Sequence, residues 1–307
     1  METGIGRVGV WAKTLKWLAG IAAVGLGALV ACSPRAADLR AAPDGALRVA
    51  SYNVHYIILN QETGAWSVGD WERRKGPMDA AFKAMGADIV AFQEMESFAR
   101  GGDGNVNLAR DWLLAQNPGY AAAASGDARV FPSTQPIFYR TDRLEMQDQG
   151  WFFFSETPDV IYSRTFNGSF PAFASWALFA VDGATLRVVN VHNDYASRSN
   201  RRLSSELIAA RVKPWVDAGE RVMVVGDFNA RSGGVPLTLI EEVGIDFVPL
   251  RGSTYHVNRG LNLFGAIDHL GVSDGVRLVG ETQVLRQKFG GEWPSDHYPV
   301  VGDFVIE

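Results

Sequence analysis

The sequence predicts an α/β fold in which two β-sheets pack face to face and are covered by helices. Segments rich in β-branched and aromatic residues alternate with stretches whose apolar residues recur at helical spacing. Two of the predicted strands are joined by a short hairpin turn, so part of the pairing is antiparallel. Apolar residues make up 47% of the 307 residues, which is enough for a sizeable core. These features argue against a purely parallel sheet.

The first 31 residues are typical of a secretory signal peptide. Arg7, Lys13 and Lys16 precede an uncharged run over residues 17–31, which is short for a membrane span. The run closes on Leu-Val-Ala-Cys, and Cys32 is the single cysteine of the chain, so it cannot form an internal disulfide. This segment resembles a bacterial lipoprotein box. The alternatives are an ordinary signal peptide and an uncleaved anchor.

The lipoprotein resemblance implies that Cys32 is lipidated, becomes the mature N-terminus and attaches the protein to a membrane. Ser33 does not indicate retention at the inner membrane, so we expect a bacterial cell-envelope protein anchored to the outer membrane and facing the periplasm. Residues 32–46 are small, polar and proline-containing, as in a flexible tether. The folded domain is then expected over residues 47–307. Nothing in the sequence indicates a protein partner, and a monomer is expected.

The charge balance is acidic. Removal of residues 1–31 takes away three of 29 basic and one of 34 acidic residues, leaving a net charge of −7. The mature protein therefore lacks a global positive field that would attract a polyanion. Local basic runs over residues 73–75 and 198–202 are more often solvated faces than binding sites.

The first half of the domain contains strands and one predicted helix. LRVASYNVHY and DIVAFQEM read as strands that end in polar groups. Between them, Pro77 is expected to begin a helix, because apolar residues after it recur at i, i+3, i+4 and i+7. QPIFYR and GWFFFSE follow as further strands.

The second half begins with a predicted hairpin, in which ASWALFAV and TLRVVNVH are joined by the turn at residues 182–184. A helix is expected from about residue 200 to residue 217. The strand VMVVGDFNA, a short helix near residues 236–242 and three further strands complete the domain.

Carboxylate, amide and imidazole groups follow apolar strands at six places. In GDFN, Asp227 and Asn229 project to the same side, because positions i and i+2 of an extended chain share a face. Strand ends are where ligands bind in sheets covered by helices. The other strand-end residues are Asn53 in SYN, Glu94 in FQE, His192 and Asp194 in NVHND, Asp268 in AIDH, and Asp296 and His297 in PSDH.

These residue types suit one chemistry. Carboxylate and amide oxygens are ligands for Mg²⁺ or Mn²⁺, which also bind the phosphate oxygens of substrates. Histidine supplies a proton donor or acceptor near neutral pH, and an adjacent carboxylate fixes its tautomer. Together they predict a hydrolytic phosphoryl-transfer site.

The ordered segments RVASYN, DIVAFQE, IFYRTDRLE, FFFSETP, NVHNDYASRSNRR, VMVVGDFNA, GAIDHLGVSD and WPSDHYPV resemble the endonuclease/exonuclease/phosphatase superfamily. That superfamily includes secreted deoxyribonucleases, repair endonucleases, sphingomyelinases and inositol phosphatases. The resemblance implies a four-layer α/β sandwich, with two packed mixed β-sheets flanked by helices and the site at one end of the sheets.

The resemblance also implies residue roles. Asn53 and Glu94 would hold Mg²⁺ or Mn²⁺, with Asp296 beside the metal. Asp227 would activate the attacking water, and Asn229 would orient that water and a phosphate oxygen. The remaining roles fall to His192 as donor to a phosphate oxygen, His297 as general base or proton carrier, and Asp268 as the residue that orients His297.

Several residues have two interpretations. Arg201 or Arg202 belongs either to the rim of the site or to helix packing. His55 either lines the pocket or is structural, and Asp194 either supports the site or leads into the following helix. His256 and His269 are expected to be packing or wall residues and not metal ligands.

The sequence thus predicts a divalent-metal-dependent hydrolase of phosphodiester bonds, acting on nucleic acid or a phospholipid headgroup. One alternative is a non-catalytic, lipid-anchored surface binding module. Another is a serine hydrolase that uses Ser273, which lies in a G-x-S-x-G segment. The nucleophile elbow requires a following helix, whereas VRLVGETQVL reads as a strand.

Overall fold

The computed structural model describes residues 38–99, 106–168 and 170–307. Two large mixed sheets pack face to face in this part of the chain, with helices on their outer faces. This confirms the predicted four-layer α/β sandwich. The signal segment, the lipidation site Cys32 and the start of the predicted tether lie outside the described residues.

The first sheet has seven strands in the order β13-β15-β1-β3-β6-β5, with β14 paired to β15. Its central strands β1 and β3 are parallel, so both end at the same edge. The strands are β1 (Leu47–Asn53), β3 (Ile89–Gln93), β5 (Tyr120–Ala123), β6 (Ile137–Arg140), β13 (Val276–Leu278), β14 (Gln283–Val284) and β15 (Val300–Ile306). A separate two-stranded sheet joins β2 (Ile57–Ile58) to β4 (Ser97–Phe98).

The second sheet has six strands in the order β11-β12-β10-β9-β8-β7. The predicted hairpin is confirmed, because β8 and β9 are antiparallel and Val181 pairs with Ala184 across the turn. The strands are β7 (Glu145–Phe153), β8 (Phe173–Val181), β9 (Ala184–His192), β10 (Val222–Asp227), β11 (Asp246–Phe247) and β12 (Asp268–Val272).

Three apolar clusters correspond to the three contacts between layers. The central cluster packs the inner faces of the two sheets together, for example Val49 of β1 with Val188 of β9. The outer clusters lie beneath the helices α1 (Val68–Met85), α2 (Leu108–Gln116), α3 (Arg198–Asp217) and α4 (Val235–Glu241). None of these helices in the described ranges is long and apolar enough to cross a membrane.

The prediction that Pro77 begins a helix is wrong, because α1 starts nine residues earlier, at Val68. The Ser67 hydroxyl accepts a hydrogen bond from the Asp70 amide at 3.0 Å and caps the helix. Pro77 lies inside the helix, where it removes one backbone hydrogen bond. Burial of Trp71 and Met78 on the same helix compensates, so packing outweighs the local cost of proline.

A buried hydrogen-bond network joins the two sheets just below one of their ends. The Gln93 amide donates to Asn190 Oδ1 at 2.7 Å, and the Asn190 amide donates to the Phe92 carbonyl at 2.7 Å. Gln93 also donates to Ser51 Oγ at 3.2 Å. All three polar side chains are fully buried. Gln93 directly precedes Glu94, whereas Asn190 and Ser51 lie two residues before His192 and Asn53. The network therefore sets how the strand ends of the first sheet face those of the second.

Gln93→Met should reduce the free energy of unfolding by about 1–3 kcal/mol, because Asn190 then keeps a buried amide oxygen without its donor. Urea unfolding measures the change. The matched control is Gln149→Met, since Gln149 is half-buried and donates to the Ser125 carbonyl at 3.2 Å. That control should change stability by about 0.5 kcal/mol or less. Equal losses in the two variants would contradict the role given to the network.

Candidate active site

Strand pairing brings the predicted site residues of the second sheet together. Strands β9 and β10 are parallel, and Asp227 pairs with His192 across them. Strand β12 is antiparallel to β10, so its first residue, Asp268, pairs with Asp227 on the other side. Asp227 therefore lies between an imidazole and a second carboxylate, and both of these carboxylates are 1% exposed.

Gly226 allows this close approach of β9 and β10. Its φ of +141° is a backbone conformation that residues with a side chain rarely adopt. A Cβ at this position would overlap the Val191 carbonyl oxygen. The glycine of the GDFN segment is therefore required by the geometry that places Asp227.

Asn53 connects the strand ends of the two sheets. Its Nδ2 donates to Glu94 Oε1 at 3.0 Å and to Asp227 Oδ2 at 3.2 Å. Its Oδ1 accepts from the His55 amide at 3.2 Å. Glu94 follows β3 with a φ of +54°, a strained conformation of the kind found at functional sites. One amide side chain thus holds two carboxylates toward each other.

His192 faces the same two carboxylates. Its Nε2 lies 3.7 Å from Glu94 Oε1 and 3.9 Å from Asp227 Oδ2. Burial lowers the pKa of His192, which favours the neutral imidazole. The Phe170 ring packs against it with a centroid distance of 5.6 Å. His192 is therefore placed to donate one N–H at the strand ends.

His297 lies between two carboxylates. Its Nδ1 is 3.0 Å from Asp268 Oδ2, and its Nε2 is 3.8 Å from Asp227 Oδ2. Burial lowers the pKa of His297, but the charge and hydrogen bond of Asp268 outweigh burial and raise it to about 10. Burial, followed by the charge of Asp268, raises the pKa of Asp227 to about 6. The arrangement can hold and transfer a proton between Asp227 and His297.

The donor set fits a divalent cation. Ligand atoms of Asp227, Asp268 and His297 lie within 4.8 Å of one another, but a 3.0 Å hydrogen bond joins His297 to Asp268. On the other side of Asp227, Asn53 Nδ2 joins it to Glu94 Oε1, whose carboxylate is the more open ligand. Asp268 Oδ1 is buried without a hydrogen-bond partner among the described residues. Burial, and next the charge of Asp296, raise the pKa of Glu94. Burial and mutual repulsion destabilise the ionised form of carboxylates that converge in this way. A bound cation with a preference for oxygen ligands would stabilise that ionised form.

Asn229 and Asp296 lie at the edge of the group. The Asn229 amide N–H donates to Asp227 Oδ1 at 2.8 Å, and its side-chain Nδ2 donates to the Asn193 carbonyl at 2.9 Å. Asp296 precedes His297, and its Oδ1 accepts from Ser295 Oγ at 3.4 Å. The structure thus brings all eight predicted catalytic and metal residues to one end of the sheets.

Arg201 and Arg202 contact the loop before helix α3 and the helix itself. Arg201 donates to the Asp194 and Tyr195 carbonyls, both at 2.8 Å. Arg202 pairs with Glu206 on the surface of α3. The Asp194 carboxylate accepts from the Ala196 and Ser197 amides at 2.8 and 2.7 Å, as expected of a residue leading into that helix.

The other histidines also have packing contacts. His256 stacks on Tyr298 with a centroid distance of 4.0 Å. His269 Nε2 lies 2.9 Å from the Ala230 carbonyl and packs beside Phe228. Both observations agree with the packing roles predicted for them.

Ser273 does not have the surroundings of a nucleophile. It accepts from the Val222 amide at 2.8 Å and donates to the Glu220 carbonyl at 3.3 Å. The turn after it leads into strand β13 and not into a helix. None of the five histidines of the chain, all within the described ranges, is hydrogen-bonded to it. The serine-hydrolase alternative therefore lacks its structural requirement.

Sequence reasoning missed two groups of residues around the site. The first is the buried network of Gln93 and Asn190. Each is a polar residue within an apolar strand, and nothing in either strand shows that the two side chains contact each other. The second is a surface formed by the rings of Tyr56, Trp66 and Phe98 beside Glu94. His55 lies in this surface, and both of its ring nitrogens are buried without a partner among the described residues. The sequence feature that could have indicated this surface is Trp66, a lone tryptophan in the polar stretch NQETGAWS.

Solved structures share this fold. An endonuclease/exonuclease/phosphatase family protein from Bacteroides thetaiotaomicron is 24% identical, with a TM-score of 0.71 over 85% of this chain and 98% of its own. A mannosyl-6-phosphatase from the same organism is 25% identical, with a TM-score of 0.70 over 84% and 99% of the two chains. D. rerio TDP2 complexed with single strand DNA product is 15% identical, with a TM-score of 0.59 over 85% and 99%.

No curated protein matches the chain in sequence. The sequence profile described as the Endonuclease/Exonuclease/phosphatase family matches residues 50–297, which includes every predicted catalytic and metal residue. Members of this superfamily hydrolyse phosphoesters, and the fold and strand-end residues of the chain agree with that chemistry. The chain belongs to the endonuclease/exonuclease/phosphatase family.

Proposed function

We propose that this protein is a divalent-metal-dependent hydrolase of phosphoester bonds, with phosphodiesters of nucleic acid or a phospholipid headgroup as the expected substrates. The observation that carries the proposal is the environment of Asp227. Its Oδ2 accepts from Asn53 and lies 3.8 and 3.9 Å from the Nε2 atoms of His297 and His192. One carboxylate thus faces two imidazoles at the end of two sheets.

Glu94 and Asn53, with Asp296 beside them, would hold Mg²⁺ or Mn²⁺. When bound, the metal supplies positive charge for the phosphate oxygens and lowers the pKa of a coordinated water. The choice of Glu94 as the direct ligand is supported by its partly open position, since its side chain is 23% exposed and that of Asp227 is 2% exposed.

The protein residues would orient the water and move its proton. Asp227, with its pKa raised to about 6, would accept a hydrogen bond from the attacking water and take its proton. His297, held as the imidazolium by the 3.0 Å contact of its Nδ1 with Asp268, would be the proton carrier beside it. His192 would donate its N–H to a non-bridging phosphate oxygen, while Asn229 would position the loop that follows β10.

The similar structures support phosphoester chemistry without agreeing on a substrate. One is named a mannosyl-6-phosphatase, and another holds a single-strand DNA product. The acidic net charge of −5 for the whole chain weakens the case for tight binding of long nucleic acid. The presence of Glu94, Asp227 and His297 together weighs against a non-catalytic binding module.

Asp227→Asn and His297→Ala should each reduce kcat by about 10²- to 10⁴-fold, because each removes a group that handles the proton of the attacking water. Circular dichroism should show that both variants remain folded. Steady-state kinetics on whichever substrate the wild type cleaves measures the loss. Wild-type turnover in both folded variants would refute the site assignment. Arg202→Ala is the matched control on the surface of α3 and should keep full activity.

EDTA should abolish hydrolysis, and added Mg²⁺ or Mn²⁺ should restore it, because the buried carboxylates alone repel a phosphate. The assay uses the purified protein with plasmid DNA, RNA, sphingomyelin, phosphatidylcholine and inositol phosphates. Cleavage of one substrate class identifies the physiological bond type. Turnover that persists in EDTA, with no metal detectable by elemental analysis, would contradict metal dependence.

We also propose that lipidated Cys32 anchors the protein to the outer membrane, facing the periplasm. Cys32→Ala should move the protein from the membrane to the soluble fraction, because one site for acyl chains is removed. Cell fractionation followed by immunoblotting measures this shift, and Ser33→Ala is the matched control that should stay at the membrane. Continued membrane association of Cys32→Ala would count against lipid anchoring.

A further inference from the structure

An aromatic surface beside the strand ends has no role in the proposed mechanism. The rings of His55, Tyr56 and Trp66 are nearly parallel, with interplanar angles of 6°, 16° and 20° and centroid distances from 5.2 to 5.8 Å. Phe98 adjoins Tyr56 at 5.4 Å. Trp66 is 38% exposed and Phe98 is 42% exposed. We call Tyr56, Trp66 and Phe98 the aromatic platform.

The backbone under the platform is held in a rare conformation. Trp66 has a φ of +63° and His55 a φ of +67°, and bulky residues seldom adopt such values. Such conformations are unfavourable and persist where surrounding contacts enforce them. The Ile58 amide donates to the Trp66 carbonyl at 2.7 Å, and Ser67 directly after it caps α1. Trp66 is thus held in a strained conformation with 38% of its surface exposed, which favours a binding role.

The platform adjoins the residues proposed to hold the metal and the phosphate. The Tyr56 backbone lies close enough to the Glu94 carboxylate to lower the pKa of that carboxyl, and the His55 amide donates to Asn53 Oδ1 at 3.2 Å. A phosphate bound at Glu94 therefore has the platform next to it. The group esterified to that phosphate is the part of the substrate that would lie over the rings.

A carboxyl group, that of Glu96, lies beside the platform. The Glu96 backbone accepts from the Ile57 amide at 3.0 Å, which keeps this residue beside the platform. Its half-buried carboxylate has no hydrogen bond or ion pair to any residue that the structure describes. The nearby Arg74 is committed to Asp70 and to the Val54 and His55 carbonyls. A carboxyl group without a partner accepts a hydrogen bond when ionised and can also donate one when protonated, so this edge suits a group that carries hydroxyls.

We infer that the aromatic platform binds the ring of a sugar esterified to the scissile phosphate, so that the substrate is a sugar phosphoester. The C–H face of a pyranose has a slight positive charge and packs on the negative face of an aromatic ring. A sugar hydroxyl would donate to Glu96. A nucleic-acid strand would stack on the same rings, but Arg74, the nearby cation, is already held by Asp70 and backbone carbonyls and would not bind its next phosphates. This inference rests on the phosphoester hydrolysis of the proposed function and replaces the phosphodiesters expected there with a sugar phosphoester as the substrate of that site.

The test compares Trp66→Ala with wild type on three phosphoesters, in the presence of Mg²⁺. These are hexose 6-phosphate, glycerol 3-phosphate as a ringless alcohol, and a nucleoside 5′-monophosphate. We expect Trp66→Ala to lower kcat/KM for hexose 6-phosphate about tenfold, through KM, and to leave glycerol 3-phosphate within about twofold. Trp66→Phe should recover most of the loss, because it restores an aromatic face. Trp112→Ala, a half-buried tryptophan on α2, is the matched control.

Binding to Asp227→Asn by calorimetry gives a readout that does not require turnover. Hexose 6-phosphate should bind this variant, and adding Trp66→Ala should weaken binding about five- to tenfold. Equal effects of Trp66→Ala on the sugar and glycerol esters, or loss confined to the nucleoside ester, would overturn the inference. So would a wild type that neither binds nor prefers the hexose ester. Failure of the proposed function has a different signature, namely unchanged turnover in Asp227→Asn.

Discussion

The buried hydrogen bonds that join Asn190 to the Gln93 side chain and to the Phe92 carbonyl are the interaction on which the site depends. Asn53 and Glu94 come from the first sheet, whereas His192, Asp227 and Asp268 come from the second. Apolar packing between the sheets is nearly non-directional, so it does not by itself set how far one sheet slides over the other. An amide pair at 2.7 Å does, because a small shift leaves buried polar atoms without partners.

The site gathers groups that would be unfavourable in an ordinary core. Asp227 and Asp268 are both 1% exposed and directly paired, and burial raises the pKa of Asp227 to about 6. His297 offsets part of this by bridging them, with its pKa raised to about 10 by Asp268 against the effect of burial. Such an arrangement lowers the stability of the fold in the absence of a ligand. Titratable groups with strongly shifted pKa values are typical of functional sites, and here they would act on a metal-bound phosphate.

Four of the nine non-glycine residues that have a positive φ in the described ranges lie at the same edge. Glu94, Asn229, His55 and Trp66 all have a φ between +48° and +67°. Each follows or adjoins a strand whose interior is regular and buried, so the regular core enforces the strained ends. Of these four residues, Trp66 belongs to the aromatic platform and His55 lies beneath it. Neither belongs to the proton-transfer group. The strained edge is thus wider than the proton-transfer group and includes the aromatic platform.

Much of the site was readable in the sequence, because polar residues directly after apolar strands are a local pattern. Asp227 after VMVVG and Glu94 after DIVAFQ needed only the strand itself to be recognised. The glycine in GDFN was visible too, but its reason, the approach of Val191, belongs to a neighbouring strand. Helix α1 shows the limit of local rules, since a proline that normally marks a start lies within the helix.

The sequence by itself determined the type of fold, the family and which side chains end the central strands. Tertiary structure decided which of these side chains face each other, because strand order pairs residues such as Asn53 and Asp227 that are far apart in the chain. It also assigned Arg201 to loop carbonyls and placed Trp66, after a polar loop, beside Glu94. These outcomes depend on non-local pairing and on burial, and neither quantity is expressed in the spacing of residues along a single strand or helix.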